Sequence, residues 1–135
     1  MPFWSLNLKV VKSRLEKRIN RYPLSMELTE NNTDKCMVIS IKGRLDALSS
    51  SIFEKRLTEI MDQHVVRILV NCSQTDYIGS ACLRVMLTTL IRITLEGGKF
   101  VLCGLQANIR EIFDISGFDT IFEVYRDEEE AMIAF

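Results

Sequence analysis

The feature that most constrains this chain is the alternation, from Ser25 onward, of short β-type apolar runs with longer segments of helical period. Residues 25–30 and 35–42 have strand composition, and residues 31–34 between them have turn composition, which predicts a hairpin. Every later strand follows a helical segment, and such connections join parallel strands. The order β-β-α-β-α-β-α-β-α therefore predicts an α/β domain with a mixed, mostly parallel sheet of about five strands and helices packed mainly on one face.

Three further strands are predicted after the hairpin, at residues 65–70, 99–103 and 120–125. The first two are compact and almost wholly apolar, which is typical of strands buried on both faces. The segment 71–79, which contains one aromatic residue, is predicted to be a polar loop.

Four helices are predicted by apolar residues at helical spacing. We expect the first to be capped by Ser49 or Ser50, and the others to begin near Ser80, Ala107 and Asp127. The residues expected to face the core are Ile52, Phe53, Leu57, Ile60 and Met61 in the first helix, Leu83, Leu87, Leu90, Ile91 and Leu95 in the second, and Ile109, Ile112 and Phe113 in the third.

Residues 1–24 form a basic extension that precedes the domain of residues 25–135. Six basic residues stand against one acid, so the extension carries a charge of +5 and the remainder −6, in keeping with the net charge of −1. Apolar residues recur at every fourth position and predict an amphipathic helix, ending at Pro23. Two interpretations stay open: a helix or tail packed on the domain, or a basic helix bound to a membrane or an acidic partner.

Composition and charge exclude several classes of protein. The 135 residues suit one domain, and the net charge of −1 weighs against binding nucleic acid through bulk charge. No apolar run approaches the ~20 residues of a membrane span, and the N-terminus lacks the long apolar region of a secretory signal. Cys36, Cys72, Cys82 and Cys103 form no C-x-x-C pair, and His64 is the single histidine, so we expect free buried thiols, no metal site and a cytoplasmic location.

Motifs that would indicate catalysis are missing from the sequence. It contains neither G-x-G-x-x-G nor G-K-[ST], and no G-x-S-x-G nucleophile elbow. His64 lies between a predicted helix and a predicted strand, a position typical of a helix C-terminal cap. We therefore expect no catalytic residue and no cofactor, and predict a binding module.

One segment, residues 77–86, joins the loop after a central strand to the start of a helix and places Ser80 at that start. A serine there has a simple structural role as an N-cap. It also suits a phosphoacceptor, because the free N–H groups of the first turn favour a phosphate's negative charge. The same charge on a docking surface would disrupt the partner contact and spare the fold.

Five sequence blocks in this order resemble a STAS domain, most closely the bacterial anti-sigma-factor antagonists. The resemblance covers residues 26–135, without the basic extension. The blocks are Gly43-Arg-Leu-Asp46, Val65 to Asn71, Tyr77-Ile-Gly-Ser-Ala-Cys-Leu-Arg-Val85, Gly97-Gly-Lys-Phe-Val-Leu-Cys103 and Ile112-Phe-Asp-Ile-Ser-Gly117.

The resemblance implies a domain that binds an anti-sigma factor, itself an ATP-dependent serine kinase, and so releases a sigma factor. The kinase phosphorylates a serine at the start of the second helix, which breaks the complex, and a PP2C-type phosphatase restores it. By motif the acceptor is Ser80, and Asp46 lies near it and helps to form the partner surface. The other partner-binding residues implied are Arg44, Tyr77, Gly79, Ala81 and Arg84. No direct nucleic-acid partner is implied.

Two positions depart from the family pattern. Gly79 stands where an aspartate or serine is usual, and Cys82 where a glycine is usual. Ser73, Thr75 and Ser116 are weaker acceptor candidates.

Two other functional classes stand beside the anti-sigma-factor antagonist. The departures and the basic extension favour an alternative, a STAS subunit of a transporter, a lipid-trafficking complex or a sensory assembly that is not phosphorylated. A small enzyme is a third class, disfavoured by the missing catalytic motifs. Membrane contact through residues 1–24 and pairing with a second copy of the chain stay open.

Overall fold

The structure, a computed structural model, describes residues 25–135, so the helix predicted within residues 1–24 lies outside the described residues. Five strands and four α-helices follow the predicted order β-β-α-β-α-β-α-β-α, which is confirmed. The strands are β1 Met26–Asn32, β2 Met37–Leu45, β3 Arg67–Ile78, β4 Lys99–Cys103 and β5 Glu123–Tyr125. The helices are α1 Ala47–Asp62, α2 Ser80–Leu95, α3 Ala107–Ser116 and α4 Glu128–Met132, with a 3₁₀ turn at Phe118–Thr120.

The strands form one sheet in the order β1-β2-β3-β4-β5. Strands β1 and β2 pair antiparallel as the predicted hairpin, whereas β2 to β5 are parallel. Successive crossovers of one hand, between neighbouring strands, place α1, α2 and α3 on the same face of the sheet. The mixed sheet with helices mainly on one face is therefore confirmed.

The sheet separates two apolar cores of unequal size. The larger lies under α1 to α3 and takes alternate strand residues such as Ile68 and Val70. The smaller lies on the opposite face, where Leu69 packs near Ala131 of α4. Because both faces are covered, the middle of β3 is apolar throughout, as the sequence predicts. Among residues 25–135, no helix is both long and apolar enough to cross a bilayer.

Several strand boundaries differ from prediction, and β1 runs on to Asn32, inside the predicted turn of residues 31–34. Strand β3 continues through residues 71–78, so the predicted polar loop is wrong. Beyond the end of β4, β3 still pairs with β2, and the buried Thr75 hydroxyl donates to the carbonyl of Ile41 over 2.8 Å. Strand β2 likewise extends to Leu45, and β5 is shorter than predicted because a 3₁₀ turn precedes it.

The buried faces of the helices are narrower than the spacing of their apolar residues predicts. In α2, Ile91 and Leu95 are exposed, and the buried positions include Cys82 and Thr89. Ile52 in α1 and Ile112 in α3 are also partly exposed, which corrects their predicted inward orientation. Apolar type alone did not distinguish the sheet-facing stripe from its flanks, because a helix on one face of a sheet is covered only along that stripe.

Candidate functional site

Helices α1 and α2 begin at the same edge of the sheet, because they follow the neighbouring parallel strands β2 and β3. Leu45, the last residue of β2, pairs with Ile78, the last residue of β3. The backbone N–H of Gly79 donates to the carbonyl of Leu45 over 2.9 Å, which holds the two chain segments together where they leave the sheet. The two N-cap residues, 46 and 79, are therefore neighbours through the sheet register, at the carboxyl ends of strands where α/β proteins commonly bind ligands.

The start of α1 is closed by its own side chains. Asp46 is the N-cap, and its Oδ1 accepts from the backbone N–H of Ser49 over 3.0 Å. In return, the backbone N–H of Asp46 donates to the Ser49 hydroxyl over 2.9 Å, and that hydroxyl lies 2.7 Å from the carbonyl of Arg44. The reciprocal pair is a capping box, so the predicted cap at Ser49 or Ser50 is wrong: Ser49 is the third helical residue.

The capping box also sets the charge of Asp46. Hydrogen bonds from the backbone and side chain of Ser49 lower the pKa of the Asp46 carboxyl, because they favour its ionised form. The Ser25 hydroxyl contacts the second carboxylate oxygen at 3.5 Å. A fixed negative charge therefore lies at this edge of the sheet at neutral pH.

The start of α2 is open. Its N-cap is Gly79, which contributes no side-chain hydrogen bond, and Ser80 is the first helical residue instead of the cap. The Ser80 side chain is exposed, and its hydroxyl has no hydrogen-bond partner among residues 25–135. The N–H groups of Ser80 and Ala81 are likewise unpaired within the described part of the chain. This start therefore presents a hydroxyl and free donors in the favourable field of a sixteen-residue helix.

Arg44 and Tyr77 form a stacked pair beside the open helix start. They are Cα partners in the β2–β3 register, and the guanidinium carbon of Arg44 lies 4.3 Å from the centre of the Tyr77 ring. The ring also leans towards position 79, where a Cβ would lie 3.3 Å from the Tyr77 hydroxyl oxygen. Gly79 thus leaves room for the ring, and the stack holds an arginine charge at the carboxyl ends of β2 and β3.

Gly43, the first residue of the block Gly43-Arg-Leu-Asp46, is required for the backbone conformation. Gly43 has a φ of 105°, and a Cβ there would collide with the carbonyl oxygen of Ser25. That close approach lets the Arg44 N–H donate to the same carbonyl over 2.9 Å. Only glycine combines the left-handed conformation with this contact, so the block positions Arg44 and Asp46 through the backbone.

Two apolar side chains on α1 extend the site and were missed by sequence reasoning. Leu48 is 51% exposed and Ile52 is 37% exposed, one turn apart on the outward face. Arg84 of α2 contacts another side of α1, with Nη1 3.4 Å from Glu54 Oε2. The sequence signal for these two residues was the spacing of Leu48 and Ile52, which places them on one face of the helix. The buried residues of α1 lie on a different face. We call the set the candidate surface: Arg44, Asp46, Leu48, Ile52, Tyr77, Gly79, Ser80, Ala81 and Arg84.

The weaker acceptor candidates lie away from the helix start or are inaccessible. Thr75 is buried, with its hydroxyl donating within the sheet. Ser73 lies on the exposed edge of β3, and Ser116 ends α3. His64 follows the end of α1 with a φ of 64°, the left-handed position expected after a helix end.

The environments of the four cysteines indicate a structural role. All four are free and buried, as predicted. Burial raises the pKa of the Cys82 thiol, at the foot of α2, to about 12, so it is protonated and a poor nucleophile at neutral pH. No group of three or more His, Cys, Asp or Glu side chains within residues 25–135 is placed to hold a metal ion.

Comparison with known proteins identifies a family and a set of relatives. Residues 25–131 match the family model described as STAS domain. BtrV of Bordetella bronchiseptica, provisionally described as an anti-sigma factor antagonist, is 34% identical over 110 residues, which cover 82% of this chain and 95% of that protein. The anti-sigma-B factor antagonist of Bacillus subtilis is 23% identical over 107 residues, covering 78% and 94%.

Solved structures share the fold. An anti-sigma factor antagonist from Mycobacterium paratuberculosis superposes with a TM-score of 0.74 at 20% identity, covering 82% of this chain and 93% of that chain. The Bacillus cell fate determinant SpoIIAA, in its phosphorylated form, superposes with a TM-score of 0.65 at 20% identity, covering 80% and 98%. The arrangement of sheet and helices around the candidate surface is therefore that of a known fold.

Proposed function

This chain belongs to the STAS domain family, and on that premise we propose that it is an anti-sigma-factor antagonist. In this proposal it binds an anti-sigma factor that is also a serine kinase, and the binding releases a sigma factor. Phosphorylation of Ser80 breaks the complex, and a PP2C-type phosphatase restores it. The names of BtrV and of the Bacillus subtilis relative support the antagonist role.

The observation that carries the proposal is the exposed Ser80 at an uncapped helix start beside the ionised Asp46. A partner that docks here contacts exposed apolar groups at Leu48 and Ile52, with charged groups around them. Apolar anchors within a charged rim are the usual composition of a protein–protein interface. A phosphate added at Ser80 would lie in that interface.

Phosphorylation transfers the γ-phosphoryl group of ATP to the Ser80 hydroxyl. The Ser80 hydroxyl oxygen forms a bond to the γ-phosphorus of ATP held by the kinase, the bond from that phosphorus to the bridging oxygen breaks, and ADP leaves. The hydroxyl proton passes to a base of the kinase. Hydrolysis by the phosphatase returns the serine and inorganic phosphate.

The new charge acts on binding and spares the fold. A serine phosphate carries close to two negative charges at pH 7, and the free N–H groups of Ser80 and Ala81 stabilise it. In a docked complex the same charge would be desolvated beside Asp46, which costs several kcal/mol. The chain itself contributes a binding surface and not a catalytic group, and we place it in the cytoplasm, where sigma factors act.

The test is to co-purify the full chain from its native cells and to identify bound proteins and modified peptides by mass spectrometry. We expect a serine-kinase anti-sigma factor in the bound fraction and phosphate on Ser80 in the unbound fraction. Ser80→Ala should stay bound and Ser80→Asp should not. Ser73→Asp, which adds the same charge at another exposed serine, is the matched control and should keep the partner.

An unmodified Ser80 together with a permanent membrane or scaffold partner would overturn this proposal. The chain would then be a STAS subunit of a transporter, a lipid-trafficking complex or a sensory assembly. Loss of binding in both aspartate variants would also contradict the specific role of Ser80.

A further inference from the structure

Leu48 and Ile52 form an exposed apolar pair on the side of α1 that faces the edge of the sheet. Arg56, one turn after Ile52 on that side of the helix, makes an ion pair with Glu30 of β1. The opposite flank of α1 contacts α2 through Glu54. Because β1 is the outermost strand, no further strand among residues 25–135 covers the apolar pair.

The basic extension of residues 1–24 joins the domain beside this pair. Ser25, which follows the extension, accepts the Arg44 N–H at its carbonyl over 2.9 Å, and its hydroxyl lies 3.5 Å from Asp46 Oδ2. Asp46 is the N-cap of α1, and a helix rises about 1.5 Å per residue, so Ile52 lies about 9 Å further along the helix axis. Twenty-four residues would span about 36 Å as one helix, so the extension is long enough to reach both members of the pair.

The apolar residues of the extension are complementary to the pair. Val11, Leu15 and Ile19 recur at every fourth position, which is the spacing of an apolar stripe on a helix. Such a stripe needs an apolar surface to cover it. Leu48 and Ile52 present one, four positions apart on a single helix face, close to the residue at which the extension joins the domain.

Charge favours the same contact. The extension carries +5, and residues 25–135 carry −6. Near the apolar pair, Arg56 is shared by two carboxylates, those of Glu30 and Glu59, which leaves one negative charge in excess. Together with the ionised Asp46, these acids outnumber Lys55, the exposed base next to them in α1. The surroundings of the pair therefore attract a basic segment.

We propose that residues 1–24 bind back on their own domain, with the apolar stripe of the extension laid across Leu48 and Ile52. The contact is intramolecular, and a short tether gives an effective concentration on the order of 1 mM, so a contact of low intrinsic affinity is still populated. The STAS family match begins at residue 25, so the contact is an addition to the shared fold.

The consequence for partner binding rests on the proposed function and deepens it. Leu48 and Ile52 belong to the candidate surface, so the docked extension and the anti-sigma partner compete for them. A partner that must displace the extension binds with an apparent affinity reduced by the fraction of chains in which the pair is uncovered. The extension is thus an internal competitor of the partner.

The test places the photo-crosslinking residue benzoylphenylalanine at position 52 of the full chain by amber suppression. The protein is irradiated at about 1 μM, where weak contacts between separate copies are rare. Digestion with a glutamate-specific protease cuts after Glu16 and Glu27, so residues 1–16 form one peptide. We expect a crosslink from position 52 to this peptide in a product of monomer mass. The peptide of residues 17–27 contains the attachment point, so a crosslink to that peptide alone reports proximity and not docking.

Matched variants separate docking from chance encounter. The same crosslinker at position 95 is the control, because Leu95 is 82% exposed at the far end of α2, and it should not reach residues 1–16. Leu15→Ser removes one member of the stripe and should weaken the contact about tenfold, which halves the crosslink yield if about nine chains in ten are covered. Val10→Ser changes an apolar residue outside the stripe and should leave the yield unchanged. About 1 M salt should lower the yield, because the charges are exposed. Circular dichroism verifies that every variant is folded.

Three outcomes would disprove the contact. They are no crosslink to residues 1–16, equal yields from positions 52 and 95, and a crosslink found only in products of dimer mass, which would assign the extension to a second copy of the chain. Equal losses of yield in Leu15→Ser and Val10→Ser would also contradict the role of the stripe.

The competition is tested from the side of the extension, because Leu15→Ser leaves the candidate surface intact. This variant should bind the anti-sigma factor recovered by co-purification about fivefold more tightly than the wild-type chain. An unchanged affinity would remove the competition. Failure to recover an anti-sigma factor would overturn the proposed function and leave the crosslinking result as it is.

Discussion

Helices α1 and α2 each have sixteen residues and begin side by side at one edge of the sheet, but their first turns are finished differently. The first turn of α1 is closed by the reciprocal bonds of Asp46 and Ser49. The first turn of α2 follows Gly79 and leaves the Ser80 hydroxyl and two backbone donors without partners among the described residues. The comparison indicates that one helix start stabilises the fold, whereas the other is available for chemistry.

The largest effect should come from adding charge at the open start. Ser80→Asp should weaken binding of the purified anti-sigma partner by at least about 100-fold, because it places a desolvated acid beside Asp46 in the interface. Its free energy of unfolding should change by less than about 0.5 kcal/mol, since an acid suits the first turn of a helix. Calorimetric binding and urea unfolding measure the two quantities. Equal losses of binding and stability would remove the distinction between the two starts.

A smaller loss of binding is expected on the outward face of the closed start. Leu48→Ala should weaken partner binding about tenfold, because it removes an exposed apolar anchor, and should leave the unfolding midpoint nearly unchanged. Leu95→Ala is the control, since Leu95 is 82% exposed at the far end of α2 and outside the candidate surface. Similar losses in both leucine variants would place the partner elsewhere.

Opening the closed start should cost stability. Asp46→Ala removes the cap of α1 and should lower the free energy of unfolding by about 1 kcal/mol in urea titrations, whereas Asp46→Asn should keep most of it. If the alanine variant is as stable as wild type, the capping box does not close α1 as we infer.

The same cap predicts a pH dependence. The pKa of Asp46 is lower in the folded chain than its ordinary value of about 3.9 in the unfolded chain, so the folded state binds this proton less readily. The stabilisation is therefore complete well above pH 4 and is lost as the pH falls through the folded-state pKa. The stability difference between wild type and Asp46→Asn should shrink correspondingly in unfolding experiments below pH 4. A difference independent of pH in that range would contradict the charge assignment.

Closing the open start should produce the smallest change. Gly79→Asp places a capping side chain at a position whose φ of −87° suits any residue, and should raise the free energy of unfolding by about 0.5 kcal/mol. Gly79→Ala separates the loss of backbone freedom from the capping bond. A lower stability of both variants would show that the Tyr77 ring, 3.3 Å from the added Cβ, does not move aside.

Much of the fold was predictable from the sequence because the periods of strand and helix differ. The alternation after Ser25 and the three helix–strand units determined the order of elements and the mixed sheet, since parallel neighbours need crossovers of one hand. The blocks around Asp46 and Ser80 also located the candidate site, because each block lies between a predicted strand and a predicted helix.

Other features depended on partners that are distant in the chain. The segment 71–78 has loop composition but is a strand, because β2 offers it a hydrogen-bonded edge. A polar composition indicates that a segment is exposed. It does not indicate whether the backbone N–H and C=O groups of that segment will pair with a neighbouring strand. Ile91 and Leu95 likewise have the spacing of core residues but lie outside the contact stripe.

By itself the sequence determined which helix start has a serine and which an aspartate. Tertiary structure decided their roles: Asp46 caps α1 with Ser49, and Ser80 follows an uncapped glycine and stays free. The stack of Arg44 on Tyr77 joins residues 33 positions apart and follows only from the β2–β3 register, a long-range pairing set by the packing of both strands between helices and sheet neighbours.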